Sequence, residues 1–328
     1  MYPKLYSDPD IYKIDIPLPN NPLKNLNCYV VKTEEKNLII DTGFHMSECL
    51  EALKNGLEAL EIDMDKTELF LTHLHSDHIG LASVIMKPGA PIYMSAVDYR
   101  YFKDSIVGNA WECMENEFYK EGFPKEHITV LRDSNPARAY APDGMFDAIM
   151  VQDGSKIQIG DYEFTCVFTP GHTPGHMCLY LEKEKLMFTG DHILFNITPN
   201  ITSWYGVKDS LNNYMESLKK IRKFDMLTVF AAHRRNDMDV YERIDEILHH
   251  HRIRLEDVIN IVSDCPGLTA YEIASKMKWS IRAKNWEDFP APQKWFAVGE
   301  TIAHIEYLLV REVLKKENKE EKNIYFIK

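Results

Sequence analysis

The chain has 328 residues, 45% of them apolar, and a formal charge of −12. That is apolar surface for one large core, or for a catalytic domain with a smaller companion, and it excludes a disordered chain. No apolar run reaches the roughly eighteen residues of a membrane span, and the N-terminus lacks the basic and apolar stretches of a signal peptide, so a cytoplasmic protein with no membrane partner is expected.

Residues 12–16 alternate as a strand, a Pro/Asn-rich turn follows at 17–22, and residues 27–31 begin a second strand. Residues 37–41 form a short apolar run stopped by Thr42 and Gly43, the pattern of a buried strand that ends in a functional loop. Apolar residues at helical spacing then cover 47–60, with Ser47 as the expected cap. A buried strand at 69–71 runs directly into a histidine cluster, followed by a predicted helix at 79–86 and a strand at 92–94.

Residues 98–145 carry aromatic and acidic residues at helical spacing (Tyr99, Tyr101, Phe102, Trp111, Phe118) and then a turn-rich tract at 133–144. This reads as a helical insertion that covers a site. Hairpins are predicted from 156–159 with 162–168 and from 177–181 with 186–188, then a helix at 210–224, a strand at 227–231 and a long helix at 240–263. Two rounds of strands followed by helices predict an α/β fold of two sheets between helical layers. The last stretch reads as helices at 269–277 and 293–316 and a strand at 323–326, a compact winged-helix-like appendage. The expected organisation is a catalytic domain over 1–248, with its insertion at 98–145, and a small domain over 249–328.

The strongest chemical signal is His73-x-His75-x-Asp77-His78. Four ligand types in six residues, directly after a strand, are expected on a tight loop rather than a helix face. Neutral imidazoles suit zinc or iron, and a carboxylate adds charge neutralisation. His172, Asp191 and His233 each follow an apolar strand-like run, where catalytic groups commonly sit, and Asp41 has the same address. Taken singly each is an ordinary strand-end residue; together they speak against a mere histidine-rich surface turn.

In this order, H-x-H-x-D-H, P-G-H-T, T-G-D and a late isolated histidine resemble the motif set of the metallo-β-lactamase superfamily, over roughly residues 10–245. The resemblance implies an αβ/βα four-layer sandwich with a metal site at one edge. It implies that His73, His75 and His172 bind one divalent ion and Asp77, His78 and His233 a second, with Asp191 bridging. Zinc is the expected metal, with manganese or iron as alternatives. It further implies a metal-bridging hydroxide as nucleophile, Asp77 and Asp191 as catalytic carboxylates that orient it or move its proton, and Asp41 behind a ligand imidazole.

Several departures narrow the branch. The flavodiiron branch has Glu where His75 stands and carries a flavodoxin domain with no counterpart here. The best-known β-lactamases use Cys at the position of Asp191, which disfavours antibiotic hydrolysis. Persulfide dioxygenases, with a single iron, share the motif set and stay open, as does a non-catalytic binding or regulatory member. His176 is read as structural or as support for the ligands, and His192 and His45 as weaker candidates. His249, His250 and His251 are read as a solvated helix end, because consecutive helical residues point in different directions. The six cysteines include no C-x-x-C pair and read as buried apolar residues.

The substrate expectation rests on charge. From residue 250 onward thirteen basic residues face twelve acidic ones, which leaves 25 basic against 38 acidic before it. An acidic catalytic half does not offer the basic face that nucleic acid requires. A small-molecule ester, thioester or lactone is therefore preferred to single-stranded RNA, which the appendage's resemblance to RNA-cutting members of the superfamily keeps as the alternative. Phe195, Trp204 and Tyr205, with the insertion's aromatics, are the expected pocket lining. The appendage also allows a homodimer.

Overall fold

A computed structural model describes residues 2–235, 238–279 and 283–328, apart from the Asp133 side chain. The first sheet has seven strands in sequence order: β1 (Lys4–Ser7), β2 (Asp10–Pro17), β3 (Asn25–Lys32), β4 (Asn37–Ile40), β5 (Thr67–Phe70), β6 (Ile92–Ser95) and β7 (Ile149–Val151). It is antiparallel as far as β4 and parallel from β4 to β7. Each parallel step needs a crossover. These are α1 (Ser47–Ala59), then the short α2 (Ser76–Ile79) and α3 (Ala82–Ile85), then the insertion of α4 (Ala96–Val107), α5 (Ala110–Lys120), α6 (Lys125–Ser134) and α7 (Pro136–Ala139).

The second sheet runs in reverse spatial order, β12-β11-β10-β9-β8, from β8 (Lys156–Ile159), β9 (Tyr162–Phe168), β10 (Met177–Leu181), β11 (Leu186–Gly190) and β12 (Thr228–Ala231). Helix α8 (Ser210–Ile221) bridges the parallel pair β11 and β12. The chain continues through α9 (Val240–Asp264), α10 (Ala270–Lys276), α11 (Ala291–Val310) and the hairpin β13 (Leu314–Lys319) with β14 (Lys322–Ile327).

The two-residue period of the strands sorts their side chains into separate cores. Tyr29, Val31, Leu38, Ile40 and Phe70 point between the sheets, toward Leu179, Phe188 and Phe230 of the second sheet. Their neighbours Cys28, Val30, Ile39 and Leu69 face outward and pack on Leu53 and Leu57 of α1. Strands covered on both faces read as unbroken apolar runs, which is why β3, β4 and β10 were legible. The outward face of the second sheet carries Cys178, Met187 and Val229, in one cluster with α8, α9, α10 and α11. The expected boundary at 248/249 falls inside α9, which crosses it in one piece.

Several expectations need correction. Ser47 does not cap α1: Met46 holds the cap position without a side-chain bond, and the Ser47 hydroxyl donates to Glu48. The helix predicted over 79–86 is split into α2 and α3. At the break, a Cβ on Gly80 would sit 2.5 Å from the His45 nitrogen and 2.6 Å from the Gly43 oxygen, so the loop after β4 packs where a side chain would be. The last helix stops at Val310, and Glu312 turns the chain at φ 58° into β13. That strand is exposed beyond Leu314 and has no apolar alternation to reveal it. The turn-rich tract holds the end of α6 and all of α7, and the exposed β1 and three-residue β7 were not predicted. His251 is not solvated: it is fully buried in the middle of α9 against His304 of α11. Among the described residues, no helix is long and apolar enough to cross a membrane.

Candidate metal centre

The site lies where β4, β5, β9, β11 and β12 end. Past β5, Thr72 and His73 are fully buried, His75 stands at the N-terminal cap position of α2 without a side-chain capping bond, and Asp77 and His78 sit in its first turn. The cluster is therefore half turn and half helix, not the loop expected. One helical turn suffices to aim Asp77 and His78 at the centre that His73 and His75 approach from the preceding turn.

Two groups of atoms converge. His75 Nδ1 lies 3.0 Å from both His73 Nε2 and His172 Nε2. Nitrogens about 2.1 Å from a common zinc would be spaced by little more than this, about 3.4 Å in a tetrahedral arrangement. Beside them, His233 Nε2 is 3.4 Å from Asp77 Oδ2, and His78 Nε2 is 3.8 Å from the same oxygen. Asp191 faces both groups: Oδ2 lies 3.5 Å from His172 Nε2, and Oδ1 lies 3.3 Å from His233 Nε2 and 3.7 Å from His78 Nε2. His73, His75 and His172 thus form one group able to hold an ion, Asp77, His78 and His233 another, and Asp191 shares a third with His73 and His78.

The donor set fits divalent cations. His78 Nε2, His233 Nε2 and Asp191 Oδ1 are buried with no hydrogen-bond partner, a costly arrangement for polar atoms unless a cation satisfies them. Burial holds His73 and His75 well below the usual imidazole range, as neutral rings with lone pairs to give. At His78 burial opposes the charge, but Asp41, Asp77 and Asp191 prevail and push it up to about 10. His233 is raised in the same way, against burial, by Asp191 and Asp77. These two imidazoles sit where positive charge is welcome.

The far side of His73, His78, His172 and His233 is anchored, which fixes the tautomer and aims Nε2 inward, whereas His75 turns Nδ1 to the centre. His78 Nδ1 donates to Asp41 Oδ2 at 2.8 Å, His233 Nδ1 to the Asn25 carbonyl at 2.8 Å, and His172 Nδ1 to the Asn200 carbonyl at 2.8 Å. Thr72 donates its amide and its hydroxyl to Asp41, at 2.9 and 2.8 Å, and its oxygen lies 3.0 Å from His73 Nδ1. Asp41 takes a left-handed backbone conformation, φ 61°, that aspartate tolerates better than most residues.

His176 stands behind the centre, outside the converging groups. Its Nε2 accepts the Asp191 amide at 3.2 Å, and its Nδ1 lies 2.9 Å from the Thr169 hydroxyl. His192 is buried beside it, and His45 lies in the loop whose amide bonds to Tyr140. Of the expected pocket residues, Trp204 and Tyr205 line a cavity next to His75, whereas Phe195 is packed into the outer core and does not reach it. Tyr101, Phe102 and Trp111 of the insertion line the cavity as well, while Phe118 is core, stacked on Trp295.

Sequence reasoning missed Asp98. It is fully buried, and its carboxylate accepts the Leu74 amide at 3.0 Å, the Thr173 hydroxyl at 2.7 Å and the Gly175 amide at 2.5 Å. One side chain thereby ties the His73 turn to the His172 turn. Burial raises its carboxyl to about 7 despite these bonds. The available signal was Ser95 three residues before it, a helix-start pattern that reads as structural. Trp295 and Phe296, also on the cavity wall, lie in α11, 90 residues beyond Tyr205, and were missed for that reason.

The sequence pattern of the metallo-beta-lactamase superfamily matches residues 22–233. The chain is similar to the Beta-lactamase-like protein 2 homolog of Caenorhabditis elegans, 26% identical over 270 residues, 79% of this chain and 74% of that protein. It is also similar to an atrochrysone carboxyl ACP thioesterase of Aspergillus fumigatus, 29% identical over 238 residues, 69% of this chain and 60% of that protein. Among solved structures, a metallo-beta-lactamase family protein of Thermus thermophilus superposes with a TM-score of 0.81 at 26% identity, covering 97% of this chain and 98% of that one. Family pattern, sheet order and converging histidines agree: the chain belongs to the metallo-β-lactamase superfamily.

Proposed function

We propose that the protein is a dinuclear metallohydrolase acting on a small-molecule ester, thioester or lactone. The observation that carries this reading is Asp191, whose two oxygens face two separate groups of imidazoles. In this reading His73, His75 and His172 would hold one divalent ion and Asp77, His78 and His233 the other, with Asp191 facing both groups. Zinc suits this nitrogen-rich set, with manganese or iron as alternatives.

Divalent ions held by these residues would lower the pKa of a water toward neutrality and polarise the substrate oxygen. The chain's residues do the remainder. Asp41, Thr72 and the carbonyls of Asn25 and Asn200 keep the ligand rings from turning. Asp77 and Asp191 bring carboxylate oxygens to within 3.4 and 3.3 Å of His233 Nε2, and these carboxylates would orient the attacking water and take up its proton. His176 holds the Asp191 backbone from behind. The apolar cavity beside His75 seats the substrate and keeps bulk water away. The acidic charge of the first 249 residues and the likeness to a thioesterase support an ester-type substrate over a polyanion.

Emission spectrometry on the purified protein, followed by a panel of thioesters, lactones, phosphodiesters and single-stranded RNA with metal-replete protein, tests the reading. Two metal equivalents and turnover of an ester-type substrate are expected. A single iron, with sulfite released from glutathione persulfide, would make it a dioxygenase. Turnover of RNA alone would replace the substrate class, and full metal loading with no turnover would favour a binding role.

A further inference from the structure

Resting on the hydrolase reading above, we infer that the site takes a neutral, flat acyl group, aromatic or conjugated, and that α11 sets this preference through Trp295 and Phe296. The cavity beside His75 has a volume of about 100 Å³ and is partly open to solvent. Its walls come from the metal-binding turn, the helical insertion, the loop around Trp204 and the start of α11.

Among the described residues, no Asp, Glu, Lys or Arg lines it. Away from the metal-binding edge, a carboxylate or phosphate drawn against these walls would lose its hydration with no charged side chain to replace it. A succinyl-type acyl group and a phosphodiester backbone are disfavoured on the same ground.

The wall rings are held in place by one another and by contacts behind the wall. Trp204 donates its indole N–H to the His172 carbonyl at 3.3 Å, and its ring lies 24° from the plane of His75, with centroids 6.1 Å apart. Tyr101 meets Trp204 edge-on and donates its hydroxyl to the Tyr205 carbonyl at 2.7 Å. Trp295 is stacked on Phe118 at 3.6 Å and 5°. Rings fixed in advance lose little entropy when a flat group slides against them, and ring–ring contact adds to simple burial. Phe296, 49% exposed, stands at the rim.

The start of α11 is also coupled to the metal centre. Asn200 donates its side-chain amide to the Phe296 carbonyl and to Glu300 Oε2, both at 3.3 Å, and its own carbonyl accepts from His172. The acyl seat and a ligand imidazole therefore share one strut, which fixes the distance from wall to reacting carbon.

The test is a thioester series on one small thiol: acetyl, hexanoyl, benzoyl, 2-naphthoyl and succinyl. We expect kcat/KM to rise at least about tenfold from acetyl to naphthoyl, with succinyl lowest, and Phe296→Ala to narrow the naphthoyl-to-acetyl ratio by about tenfold. Binding is read without turnover by titrating 2-naphthyl methyl ketone against tryptophan fluorescence, since Trp111, Trp204 and Trp295 all line the cavity. Saturable quenching that weakens in Phe296→Ala, with an unchanged circular dichroism spectrum, supports the pocket even if no thioester is cleaved; in that case the hydrolase reading alone falls. Succinyl or acetyl esters cleaved as well as naphthoyl, or ketone binding indifferent to Phe296→Ala, would overturn the inference.

Discussion

Around His73, five imidazoles share their space with the carboxylates of Asp77 and Asp191, whereas in the buried pair between α9 and α11, His251 and His304, the rings meet each other and a backbone carbonyl. Both places bring imidazole nitrogens to about 3 Å: 3.0 Å between His73 and His75, 3.1 Å between His251 and His304. Their electrostatics differ. Burial drives His304 down to about 3 and His251 well below the usual range, with Arg254 adding to the effect at both. At His78 the same burial is overcome by three carboxylates. Proximity of histidines is thus a packing result, and it becomes a candidate metal site only where unpartnered nitrogens and carboxylate oxygens face one centre. Among the described residues, the groups able to hold an ion include the first set and not the second.

The contrast is sharpest under substitution. His73→Ala should lower kcat/KM by about three decades, the several kcal/mol that a Lewis-acid metal supplies, and reduce retained metal. Steady-state kinetics with metal analysis checks it, and an equal loss in His304→Leu would erase the distinction between the two clusters. Asp41→Asn keeps a residue that tolerates the left-handed backbone but removes the charge behind His78. Metal affinity should fall by about 10- to 100-fold in titration against a chromophoric chelator.

The raised affinity of His78 and His233 for protons gives a pH test with a definite sign. Without a cation His78 is protonated at neutral pH and His233 holds its proton more tightly than an ordinary imidazole, so a metal must displace protons from this pair. Apparent metal affinity should therefore rise with pH, about tenfold per unit for each proton displaced, and calorimetry in buffers of differing ionisation heat should count the protons released. A flat profile would mean that the carboxylates do not charge these rings. The smallest effect is expected at the other cluster. His304→Leu strands His251 Nδ1 and should cost about 1–2 kcal/mol in denaturant unfolding, with metal content unchanged. Substituting both histidines by Leu should recover most of that loss, because no buried nitrogen is then left behind.

Much of the candidate site was legible because its segments follow apolar runs. Residues 38–40 before Asp41, 69–71 before the His73 turn and 230–232 before His233 are buried, and burial on both faces of a strand writes itself as continuous apolar sequence. Polar or short elements carry no such record: β13 has three lysines among its six residues, β7 has three residues, and the split between α2 and α3 depends on a loop packed against Gly80.

The sequence by itself determined which residue types stand at the strand ends, in what order, and hence the superfamily and a donor set suited to divalent metal. Tertiary structure decided how they face one another. It set Asp191 between two groups of imidazoles, Asp98 between two turns, and His251 inside the molecule. It also moved Phe195 off the cavity and brought Trp295 and Phe296 onto it. The physical reason is range. Strand and helix patterns are local, repeating every two or four residues, whereas the direction of a buried polar side chain is set by partners far along the chain whose hydrogen bonds it must satisfy.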